Sequence, residues 1–114
     1  MHITPEACAA VYDMLRHFRP FKAWKLPPGE EVEFRVRKIN HYGEVTNYVR
    51  TDELIMWISD KRHPTLNDLA MTVAHEMCHV RQHFNGQKRL GHGPAFQRMA
   101  KTICKELGWD ERLF

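Results

Sequence analysis

Five consecutive residues, His75-Glu76-Met77-Cys78-His79, bring two imidazoles and a carboxylate together within little more than one helical turn. Residues four apart on a helix share a face, so His75 and His79 can grip one ion together, and Glu76 adjoins that face. Zinc takes nitrogen ligands at about 2.0 to 2.1 Å, and its catalytic sites use three protein ligands so that a water keeps the fourth position. The metal lowers the pKa of that water to about 7, and a carboxylate beside it can take the proton during attack on a polarised carbonyl. The chemistry implied is peptide hydrolysis, with one catalytic Zn²⁺ as cofactor and Glu76 as catalytic base. A site that held zinc only for stability would more usually fill all four positions with Cys and His and would have no use for that carboxylate. The competing reading is a zinc-containing DNA- or protein-binding module with little or no proteolytic activity.

A third metal ligand is required. His83 continues the four-residue series, but eight residues of helix put it about 12 Å from His75 along the axis, too far for three imidazoles to share an ion. His92, in Gly91-His92-Gly93-Pro94, sits on a loop that can fold back over the helix, and its flanking glycines permit a close approach. Glu106 is the fallback, as in sites of two His and one Glu. A donor for the developing oxyanion is also expected, with Tyr42, His41, His63 and Arg62 as unranked candidates. Cys78 lies inside the motif, but a helix turns it away from the face of the two histidines, so it reads as a buried thiol.

The elements that must position these groups are legible in outline. Thr4 as N-cap, Pro5 at the first helical position and Cys8, Val11, Tyr12, Leu15 and Phe18 at helical spacing predict a helix over 5–19. Val32, Phe34 and Val36 alternate with charged residues as in a half-buried strand, and Asn40-His41-Tyr42-Gly43 reads as a turn into a second strand near 44–50. The apolar run Leu54 to Ile58 predicts a third, more buried strand. Thr65 and Asp68 have capping-box spacing ahead of Leu69, Val73, Met77, Val80 and Phe84, which predicts the central helix. Gly93-Pro94 opens a last helix through Phe96, Met99, Ala100, Ile103 and Leu107, ending at Gly108. The order α-β-β-β-α-α makes this an α+β fold, with the three strands expected as a small antiparallel meander and residues 1–114 as a single domain.

HEMCH followed by GHGPAF resembles the signature of the SprT-like metalloproteases, the group that includes bacterial SprT and the DNA-dependent protease Spartan. The resemblance extends over nearly the whole chain and implies their minimal zincin-like domain, with zinc held by His75, His79 and His92 and with Glu76 as general base. Metzincins fit less well, because their longer pattern would place Gly at Gln82 and His at Asn85. SprT-like proteins often carry a Cys-rich zinc ribbon or a DNA-binding tail after the protease domain, and neither appears within these 114 residues.

Composition narrows the remaining classes. Hydrophobic residues at 43% and charged residues at 27% describe an ordinary globular domain rather than a disordered or fibrous one. No apolar run exceeds six residues, against the roughly 18 that a membrane span needs, so no membrane association is expected. The N-terminus lacks the basic-then-apolar order of a secretory signal, which makes a cytoplasmic location the default. Cys8, Cys78 and Cys104 suit neither a disulfide framework nor a CxxC ribbon. Trp24, Trp57 and Trp109 read as packing residues rather than base-stacking platforms. The expected partner is a protein or peptide, bound along a sheet edge by main-chain hydrogen bonds. A net charge of +3, with Arg81, Lys88, Arg89, Arg98, Lys101 and Lys105 near the motifs, is compatible with DNA as a further partner.

Overall fold

A computed structural model describes residues 2–48 and 53–114. Helix α1 spans Pro5–Leu15, a single turn α2 spans Phe21–Trp24, and strands β1 (Glu33–Arg37), β2 (Gly43–Tyr48) and β3 (Glu53–Ser59) follow. Helix α3 (Leu66–Phe84) and helix α4 (Pro94–Leu107) complete the order, with 3-10 turns at Gly29–Glu31 and Glu111–Leu113. No helix among the described residues is long and apolar enough to cross a membrane. Residues 49 and 50, the expected end of the second strand, lie outside the described residues.

Helix α1 is capped by Thr4, whose hydroxyl accepts from the Ala7 amide at 3.1 Å. It is shorter than its periodicity implies. The amides of His17 and Phe18 bond to Met14 and Leu15, the three-residue spacing of a tightening last turn, and Pro20 has no N–H with which to continue the ladder.

The sheet corrects the expected meander. The strand order is β1-β3-β2, with β3 antiparallel to β2 but parallel to β1, so the sheet is mixed. Leu54, Ile55, Met56 and Ile58 are all buried, and the most continuously apolar strand therefore takes the middle, where both its edges are paired. A meander would have put the more polar Gly43–Tyr48 segment there instead. Phe34, Met56 and Val45 lie in one row across the three strands, and this row faces the helices, with the Phe34 ring edge-on to Tyr12 of α1 at 5.5 Å. On the opposite face Trp57 is half-buried, donates to the Thr46 hydroxyl at 3.0 Å and lies under the Arg35 guanidinium. Trp24 and Trp109 pack against the core as expected.

Helix α3 begins at the expected capping box: the Asp68 amide donates to the Thr65 hydroxyl at 3.1 Å and the Thr65 amide to the Asp68 carboxylate at 3.2 Å. Leu69, Val73, Met77 and Val80 are fully buried and seat the helix on the sheet and on α1. Helix α4 buries Phe96, Ala100, Ile103 and Cys104 and stops at Gly108, whose φ of 72° is the left-handed conformation a glycine adopts at no steric cost. All three cysteines are buried free thiols, and burial pushes Cys8 up to about 11.

Candidate metal centre

His75 and His79 leave α3 on one face, as their spacing requires, and the 85–93 loop brings His92 back above them. The His92 Nε2 atom lies 3.1 Å from His75 Nε2 and 3.2 Å from His79 Nε2. All three nitrogens fall within 4.8 Å of one another, close enough to hold a metal ion. His83 is not in this group and contacts Asn47 of β2 at 3.3 Å. Glu106 is also excluded, since it lines a separate depression with Arg19, Trp24 and Arg81.

The tautomers are set from outside the cluster. His79 Nδ1–H donates to Gln82 Oε1 at 2.8 Å, and His75 Nδ1–H donates to the backbone oxygen of Phe114 at 2.7 Å. Both Nε2 atoms are then lone pairs pointing inward, the arrangement that metal-binding histidines receive from their outer partners. His92 Nε2 could donate at most one proton between two such acceptors, whereas a cation satisfies all three nitrogens at once. Burial pushes His75 down to about 4, against the hydrogen bond to Phe114 and with repulsion from His79 and His92, and burial likewise lowers His79. His75 and His79 are thus held neutral, the form that ligates.

Two supporting residues escaped the sequence reading. Gln82, 3% exposed, spends its carbonyl on His79 and its amide on the Gly91 carbonyl at 2.9 Å, tying the helix to the loop that carries His92. Its position three residues after His79 on the same helix was the available signal. Phe96, legible only as a core residue, sets its ring against His75, His79 and His92 at 4.9, 5.0 and 4.6 Å. Gly91 and Gly93 do not serve close approach, because a Cβ on either would meet nothing within 4 Å. Gly43 does: its added Cβ would lie 2.9 Å from Thr72 Cγ2 and 3.0 Å from the Trp57 carbonyl oxygen.

A cleft of about 550 Å³ opens beside the cluster, lined among others by Tyr42, Arg62, His75, Glu76, His92 and Phe114. Glu76 is 4% exposed, and burial, with a smaller push from Glu44, raises its carboxyl to about 8. Of the four oxyanion candidates, all line the cleft, but His63 has both ring nitrogens engaged, with the Ser59 carbonyl at 3.1 Å and the Thr72 hydroxyl at 2.8 Å. Tyr42 is exposed, with the Arg62 guanidinium over its ring.

The profile of the SprT-like family matches residues 13–111. The chain belongs to the SprT-like family. Its three clustered histidines all fall inside the matched span of this SprT-like chain, and the family is one associated with metalloprotease-like domains. Comparison with curated proteins and with solved structures returned no match.

Proposed function

We propose that residues 1–114 form one zinc-dependent endopeptidase domain, in which His75, His79 and His92 hold the metal and Glu76 is the catalytic base. The observation that carries the reading is the convergence of three inward Nε2 atoms at the wall of a cleft that also presents a buried carboxylate. Tetrahedral bonds of 2.0 to 2.1 Å space nitrogen ligands about 3.3 Å apart, close to the 3.1 and 3.2 Å that separate His92 from the other two, and the third pair lies within 4.8 Å. When bound, zinc supplies Lewis acidity that polarises a peptide carbonyl and brings the pKa of water to about 7.

The chain's own groups supply the rest. Glu76 accepts the proton of the attacking water and returns it to the leaving amine; burial raises its carboxyl to about 8, and a cation held beside it would favour the carboxylate form that a base requires. Three protein ligands, rather than four, would leave one position for water or substrate. Strand β2 leaves one edge unpaired among the described residues and begins at Gly43, against α3 at Thr72 and Glu76, so an extended substrate added to that edge would pass the cleft. Such docking reads main-chain groups and tolerates many sequences.

Action on DNA-associated proteins would draw on exposed Lys88, Arg89, Arg98, Lys101 and Lys105 on the loop and on α4. Binding of single-stranded DNA at low salt, with faster cleavage of a basic test protein, is the expected result.

The test compares the wild type with Glu76→Gln for zinc content and for cleavage of a denatured protein. Equal zinc with cleavage reduced roughly 10²- to 10⁴-fold is expected. Cleavage surviving in the variant overturns the mechanism, and equal zinc with no cleavage in either protein favours the binding module.

A further inference from the structure

The segment after α4 does more than end the fold. Trp109 donates its indole N–H to the Asn67 side chain at the start of α3 at 3.0 Å, and its ring stacks on Phe114. Phe114 in turn packs against His75 and Phe96, with ring centroids 5.3 and 6.4 Å away. The chain between them turns through Glu111–Leu113, with Asp110 capping the Arg112 amide at 2.9 Å. The result is that a backbone oxygen 39 residues away in sequence accepts the Nδ1–H of His75 at 2.7 Å. That acceptor lies beyond the span matched by the family, which stops at residue 111.

We infer that Trp109–Phe114 is a positioning strap for the metal centre: it fixes the tautomer and ring orientation of His75 through the Phe114 backbone oxygen. This rests on the reading that the three histidines hold a metal. His79 obtains its orientation from Gln82, on its own helix, whereas His75 obtains it from this distant segment, so metal affinity depends on whether the strap is docked. Outer partners of this kind change metal affinity by roughly 10- to 100-fold.

The experiment removes Leu113 and Phe114 and titrates zinc against a chromophoric chelator, alongside the thermal midpoint of each metal-free protein. The expected result is zinc affinity lower by roughly 10- to 100-fold with the metal-free midpoint little changed. Affinity within twofold of the full chain overturns the strap, and failure of the full chain to bind zinc overturns the metal reading beneath it. Should the shortened chain not fold, nitrogen-15 NMR of the histidines in the intact, zinc-loaded protein decides. A His75 Nδ1 proton shielded from exchange with water supports the inference, and one that exchanges as freely as in an exposed imidazole overturns it.

Discussion

A single side chain, Gln82, links two of the three histidines: its carbonyl orients His79 and its amide holds the loop carrying His92. Gln82→Ala removes both bonds and leaves the buried Nδ1–H of His79 without its acceptor. Zinc affinity is expected to fall roughly 10- to 100-fold, as for other outer partners of metal ligands. Gln82→Glu keeps an acceptor for His79 but sets a carboxylate oxygen against the Gly91 carbonyl, so the His79 bond survives while the loop contact is lost, and chelator competition should place it between the two. At this scale the motif made much legible. HExxH named His75, Glu76 and His79, and the distance along a helix axis was enough to set His83 aside. Gln82 and the Phe114 oxygen were not legible, the first because a glutamine has no chemistry of its own and the second because a backbone atom carries no residue signature. The glycines around His92 misled for a related reason: their residue type signals freedom, but only the fold shows whether that freedom is used.

Among the elements, β2 and α3 approach closely beside the Glu76 side chain. A Cβ on residue 43 would sit 2.9 Å from Thr72 Cγ2, 3.0 Å from the Trp57 oxygen and 3.3 Å from Glu76 Cγ, so strand and helix would have to part. Gly43→Ala is expected to destabilise by about 1–3 kcal/mol, the usual range for overpacking, as measured by urea denaturation. Adding Thr72→Ser deletes the nearest methyl and should recover part of that loss. Helix starts, and the stop at Gly108, were readable because caps are local: Thr4, Thr65 and Gly108 each act within one turn of themselves, whereas the early end of α1 carries no such residue. Strand pairing was not, since order in a sheet depends on which strand is buried on both flanks. The clue was present in the apolar run from Leu54 to Ile58, which marks a central strand more strongly than adjacency in sequence marks a meander.

For the molecule as a whole, acid should act through His63 as well as through the metal site. Burial lowers its pKa below the ordinary 6.5, opposed by its bond to the Ser59 carbonyl and by the charge of Asp68. The unfolded chain therefore binds more protons there than the folded one as pH falls below about 6.5, and stability falls with it. His63→Gln removes that titration, so its folding free energy should fall less steeply than the wild type's between about pH 6.5 and 5, as followed by denaturant melts at each pH. The sheet has a consequence for biosynthesis. Because β3 separates β1 from β2, neither earlier strand can find its native neighbour while the chain is being made until residues 53–59 have left the ribosome. Two unpaired strand edges then wait on one late segment, and a nascent chain stalled before it would expose both.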